Sequence, residues 1–129
     1  LYKKHTCVII QNTPDMIGMI KKVDQYITWG EINEKTLLSL FQKRGKLARK
    51  EIITEKYIEE KLQLSLKDFI KKVIDFELTL KDLPGLKLFF KLNPPKGGFE
   101  KEGVKSQFAS GGVLGYRKDR INDLLLRMI

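Results

Sequence analysis

The chain holds 129 residues, 42% hydrophobic and 32% charged, with 25 Lys and Arg against 16 Asp and Glu for a net charge of +9. A single cysteine, Cys7, and a single histidine, His5, exclude a disulfide framework and any zinc site built from several Cys and His ligands. No apolar run approaches the roughly 18–20 residues that cross a bilayer, and no signal-peptide pattern opens the chain. The expectation is a soluble, intracellular, basic domain whose partner is a polyanion.

Residues 6 to 10 (TCVII) form a short apolar, β-branched run that predicts a strand buried on both faces. Thr13-Pro14 supplies an N-cap and a first-turn proline. Met16, Met19, Ile20, Val23 and Ile27 then recur at spacings of three and four, predicting an amphipathic helix from Pro14 to Tyr26. Trp29-Gly30 ends it, and Trp29 is read as a packing plug between subdomains rather than a base-stacking platform.

Residues 31 to 83 carry three helical patterns, taken as a small helical subdomain. Asn33 caps the first, which bears Leu37, Leu38, Leu40 and Phe41 and ends where Gly45 suits a left-handed C′ residue. Thr54 caps the second, with Tyr57, Ile58 and Leu62 on one side. Ser65 with Asp68 resembles a capping box opening the third, whose apolar stripe is Leu66, Phe69, Ile70, Val73 and Ile74.

Leu83-Pro84-Gly85 is a turn into a second strand, Leu86 to Leu92, with Phe89 between Lys87 and Lys91 on one face and Leu86, Leu88 and Phe90 on the other. Asn93 to Gly98 breaks regular structure. A Gly-rich basic stretch runs from Phe99 to Tyr116. Asp119 to Ile129 is helical, with Ile121, Leu124, Leu125 and Met128 on one face. The chain opens on Leu1 rather than Met, and two strands alone make a marginal sheet. A third strand is therefore expected, in a segment ahead of Leu1 or in a partner.

Three segments can carry chemistry. Lys43, Arg44, Lys46, Arg49 and Lys50 place five positive charges around Gly45 with no acid among residues 41–50. A helix C-terminus favours cations in any case, and a solvated basic face would look the same. Charge clustered at a turn and followed by Glu51, Glu55, Glu59 and Glu60 points to a phosphate-facing edge. The second segment runs from Lys91 to Lys105. There Pro94-Pro95 stiffens the chain, Gly97 and Gly98 permit close backbone approach, and Lys96, Lys101 and Lys105 supply charge. Such an arm is typical of segments that order against RNA, although Glu100 and Glu102 weaken the case.

The third segment, Gly111 to Arg117, is neither a dinucleotide fingerprint nor a Walker loop. Its glycines suit a tight turn into the last helix, where Arg117 and Arg120 could also meet a phosphate. Enzyme chemistry finds no footing: no residue beside His5 in the sequence completes a catalytic pair with it, Cys7 sits in an apolar strand, and the sequence gathers no nucleophile, base and oxyanion site. Neither a cofactor nor a small-molecule substrate is expected.

Taken in order, Thr13-Pro14, Tyr26 to Ile32 (YITWGEI), Lys43-Arg44-Gly45, Leu83-Pro84-Gly85, Asn93-Pro94-Pro95 with Gly97-Gly98, Gly111-Gly112 with Gly115-Tyr116-Arg117, Ile121-Asn122 and Arg127-Met128 resemble the universal large-subunit ribosomal protein L-thirty family in its long archaeal form. Its eukaryotic relative is called L-seven. The likeness runs from Thr6 to Ile129.

It implies a ferredoxin-related α/β fold, β-α-β-α-β with a small antiparallel sheet. Long members insert a helical segment before the last strand, matching residues 31–83, so that 1–30 and 84–129 would form an rRNA-binding core with a C-terminal arm. It also implies a strand and helix ahead of Leu1. The implied function is structural, in the cytoplasmic ribosome, bound to large-subunit rRNA near the 5S RNA and to neighbouring ribosomal proteins. The RNA contacts assigned on this footing are Lys3, Lys4, Lys43, Arg44, Gly45, Lys46, Arg49, Lys50, Lys91, Lys96, Gly97, Gly98, Lys101, Lys105, Arg117 and Arg120. The rival reading is a basic adaptor that binds acidic proteins through an apolar groove at residues 54–74; an RNA-modifying enzyme is a distant third.

Overall fold

The structure is a computed structural model and describes residues 3–49 and 51–129. Packing divides the chain into two units, one of residues 3–9, 34–93 and 129, the other of residues 10–33 and 94–128.

In the first unit, strand β1 (Thr6–Val8) pairs antiparallel with β3 (Phe89–Lys91), Cys7 opposite Phe90 and Val8 opposite Phe89. Helices α2 (Glu34–Arg44), α3 (Glu55–Leu62) and α4 (Leu66–Ile74) are the three patterns expected between residues 31 and 83. Leu37, Leu40 and Phe41 share one stripe of α2, and Leu66, Phe69 and Ile70 share one of α4, so each helix buries a single face. Three rings join helices to sheet. Phe41 meets Phe90 edge-on at 5.4 Å and Phe69 edge-on at 5.9 Å, all three sealed from solvent. Edge-to-face pairs at such separations add to the burial of the rings themselves.

This cluster explains why the packing does not divide at 31–83. Phe41 and Phe69 of the helices share one core with Phe90 of the sheet, so the helical segment belongs with β1 and β3. The Thr6–Ile10 strand is shorter than expected and is not buried on both faces: Val8 and Ile10 are each 42% exposed. Among the described residues β1 pairs with β3 alone, which leaves its outer side open.

Caps follow the sequence in part. The Ser65 hydroxyl accepts from the Asp68 amide and donates to the Asp68 carboxylate at 2.7 Å, whereas Thr54 occupies its N-cap with no side-chain bond. Gly45 closes α2 without the left-handed backbone expected of it. Space is what demands glycine there, because a Cβ would lie 2.5 Å from the Phe41 carbonyl oxygen and 2.8 Å from Ile53 Cδ1.

In the second unit, Thr13 caps α1 (Pro14–Lys22), accepting from the Met16 amide. Strand β2 (Thr28–Trp29) runs parallel to β4 (Gly115–Tyr116), and α5 (Ile121–Met128) buries Ile121, Leu124, Leu125 and Met128 as its spacing requires. The Asn122 amide donates to the Glu31 and Asp119 carbonyls and accepts from the Asn33 amide, tying residues 31–33 to α5. Trp29 does pack, but inside this unit. Its ring stacks on Tyr116 at 4.4 Å, and its indole N–H donates to Asp24 at 2.7 Å.

The ring cluster sets a test of this core. Phe41→Ala is expected to cost about 3–5 kcal/mol, whereas Met19→Ala, at a side chain 61% exposed, should stay within about 0.5 kcal/mol. Urea unfolding of both variants checks the contrast.

Candidate nucleic-acid interface

A basic hollow on the first unit is built by an unusual run of backbone pairing. Past Gly45 the chain pairs on two sides. The Leu47 amide donates to the Glu51 carbonyl, while the Ala48 amide donates to Gly85 and the Lys87 amide to Lys46. Residues 46–48 are thereby laid against 85–87, just before β3. The result gathers Arg44, Lys46, Lys87 and Lys91 around the ring of Phe89 in a hollow of about 210 Å³. No carboxylate lines it, and among the described residues none pairs with Lys46, Lys87 or Lys91. Four cations lie where an anion can meet several of them at once.

Arg44, Lys46 and Lys91 were assigned from sequence in two separate segments; the fold brings them together. Arg44 is partly committed, its Nη2 donating to the Ile129 carbonyl at 2.8 Å, so the three lysines are the freer charges. Lys87 and Phe89 were not assigned, although their alternation with Lys91 was legible; the pairing of residues 46–48 with 85–87 is what gives it meaning. Lys3, Lys4, Lys43 and Arg49 are exposed. Gly45 is buried and shapes the turn rather than facing a ligand, and Lys50 lies outside the described residues.

The second unit carries the arm, which is anchored rather than free. The Lys96 amide donates to the Arg127 carbonyl and Arg127 Nη1 donates to the Gly98 carbonyl, each at 3.0 Å. Gly97 and Gly98 adopt φ of +82° and +78° with open space where a Cβ would point, so their backbone conformation is what calls for glycine. Lys96, Lys101, Lys105 and Arg120 are exposed.

Arg117 has a different task from the one its sequence position suggested. It is 2% exposed and its guanidinium is held on three sides. Nε donates to Thr28 Oγ1 at 2.7 Å, Nη1 and Nη2 both donate to the Glu100 carboxylate, and Nη2 also reaches the Val113 carbonyl at 3.0 Å. The Phe108 ring lies under it at 4.7 Å. Four of its five N–H donors are spent inside the unit and the side chain is buried, so Arg117 serves the fold rather than the phosphate-facing set. Glu100, read from sequence as weakening the arm, is what holds the arm in place.

Two further groups bear on chemistry. Burial pushes the Cys7 thiol up to about 11, so at neutral pH it is protonated and a poor nucleophile. The Tyr116 hydroxyl donates to the Glu31 carboxylate, which raises its pKa above the usual phenol value.

No protein-family model matches the chain. Curated relatives do. The chain is 42% identical to large ribosomal subunit protein uL30 of Methanopyrus kandleri over 130 residues, covering 100% of this chain and 87% of that protein. Against the uL30 of Nanoarchaeum equitans it is 46% identical, covering 100% of this chain and 83% of the relative. Against that of Metallosphaera sedula it is 40% identical, covering 100% and 82%.

Breaking the Glu100–Arg117 pair has effects that can be measured directly. Arg117→Ala leaves the half-buried Glu100 carboxylate and the Val113 carbonyl without their donor and should cost about 1–3 kcal/mol; Arg117→Lys should not restore the loss, since an ammonium cannot reproduce the bidentate fork. Hydrogen bonds from Arg117 hold the Glu100 carboxyl below its usual pKa. Its stabilisation is therefore complete above the unfolded value of about 4.3 and is lost as pH falls through the folded value. Thermal melts between neutral and strongly acid pH should show the wild type losing stability more steeply than Glu100→Gln below roughly pH 4.

Proposed function

The chain belongs to the family of large ribosomal subunit protein uL30, a structural component of the large subunit, and on that premise we propose that it binds large-subunit rRNA through two basic surfaces close to the 5S RNA. The observation that carries the reading is the acid-free hollow of Arg44, Lys46, Lys87 and Lys91. Its cations come from two stretches of chain, residues 44–46 and 87–91, and converge without a carboxylate, an arrangement suited to a phosphodiester backbone. Lys3, Lys4, Lys43 and Arg49 extend the charge on the same unit. Lys96, Lys101, Lys105 and Arg120, with the left-handed Gly97–Gly98 backbone, form the second surface. The neighbourhood of the 5S RNA rests on the family resemblance. Other large-subunit proteins are the further partners, and the cytoplasmic ribosome is the location. No helix among the described residues is long and apolar enough to cross a membrane.

The adaptor reading needs an apolar groove at residues 54–74. Ile58, Leu66, Phe69 and Ile70 lie there, but they are buried in the first unit's own core. That side of α3 and α4 is already occupied.

Neutralising about six phosphates predicts a log–log dependence of affinity on salt with a slope of roughly −5. The protein is expected to co-sediment with the large subunit through a high-salt wash and to be released by nuclease. Charge reversal at Lys46, Lys87 and Lys91 together should weaken binding to large-subunit rRNA and flatten that slope by at least about 2. Sedimentation in the light fractions with retention of partners after nuclease would favour the adaptor.

A further inference from the structure

Phe89 is a large apolar ring held in water: it is 46% exposed, although Phe90 beside it is fully buried. The pleat explains the contrast, since successive side chains of β3 point to opposite faces. On the outer face Phe89 sits opposite Val8, itself 42% exposed. Lys91 follows on the same face about 6.7 Å along the strand, and Lys87, Lys46 and Arg44 complete the rim. The core does not need this ring; Phe41, Phe69 and Phe90 fill it.

We infer that Phe89 is a stacking platform for one unpaired RNA base, whose flanking phosphates are gripped by Lys46, Lys87 and Lys91. The inference rests on the RNA-binding reading above and narrows it to a single-stranded or flipped-out nucleotide. An aromatic ring on an open sheet face offers a π surface to any base that has left its helix. Bases inside a duplex already stack on their neighbours and gain nothing from it. The lysines select the occupant's charge: four cations with no acid disfavour a basic or apolar protein surface, and a phosphodiester chain brings one negative charge on either side of the stacked base. Lysine suits this role, since its flexible point charge follows a backbone without fixing one geometry.

The test uses the full chain and two fluorescently labelled probes of equal length, a single-stranded oligoadenylate and a blunt RNA duplex, titrated by anisotropy at several salt concentrations. Phe89→Leu should weaken oligoadenylate binding by roughly 5- to 100-fold, leave duplex affinity within about twofold, and leave the salt slope of both unchanged, since no charge is removed. Phe89→Tyr keeps the ring and should restore wild-type affinity, which separates stacking from any effect of the position on folding. Lys87→Gln with Lys91→Gln should weaken both probes and reduce the single-strand slope by about 1.4.

If Phe89→Leu matches the wild type on both probes while the lysine variants weaken them, the stacking platform is overturned and RNA binding by charge stands. If the wild type binds neither probe nor large-subunit rRNA, the underlying RNA-binding reading fails as well. Preferential capture of polyglutamate over oligoadenylate, lost in Phe89→Leu, would overturn the inference in favour of an acidic protein partner.

Discussion

The second unit depends on one guanidinium. Arg117 lies within reach of β2 through Thr28, of the arm through Glu100, of the turn before β4 through Val113, and of the Phe108 ring beneath it. Burying such a charge costs several kcal/mol unless its donors are satisfied. Here satisfaction requires every one of these segments to be in place together. The cation thus acts as a geometric condition on the unit: the arm, the parallel strand pair and the turn are each correct only if the others are. The arm's exposed lysines owe their positions to this buried contact, not to any regular structure of their own.

The buried and the exposed cations do different work, although Arg49 and Arg120 are exposed as the lysines are. Arginine, with a planar fork of five donors, serves inward at Arg117 and partly inward at Arg44, where a carbonyl or carboxylate can meet it in a fixed geometry. Lysine serves outward, at Lys46, Lys87, Lys91, Lys96, Lys101 and Lys105, where a mobile partner must be followed. Counting positive charges along the chain does not separate these two uses.

That limit shows how far the sequence can be read. The helices were legible because their signals are local: apolar residues at three and four, Thr13 before Pro14, Ser65 three residues before Asp68. The family was legible because its motifs keep their order. Burial was not legible, and Arg117 and Glu100 illustrate why. Seventeen residues separate them, Thr28 lies 89 residues away from Arg117, and no periodicity links such positions. Gly45 looked like a left-handed cap because glycine after a helix usually is one, whereas here the crowding of a Cβ against the Phe41 carbonyl oxygen, and next against Ile53, sets the requirement. The hollow was half legible. Lys87, Phe89 and Lys91 alternate plainly, but Lys46 joins them only through long-range backbone pairing.

The stacking of Trp29 on Tyr116 has a practical corollary. The chain has one tryptophan among four tyrosines, and that indole sits wholly within the second unit, hydrogen-bonded to Asp24. Excitation at the red edge of the absorption band therefore reports on the second unit alone. Far-ultraviolet circular dichroism reads the helices of both units, α2, α3 and α4 of the first with α1 and α5 of the second. The molecule thus carries a local handle on one unit beside a global one, so whether the two units melt as one cooperative body can be read from unlabelled protein.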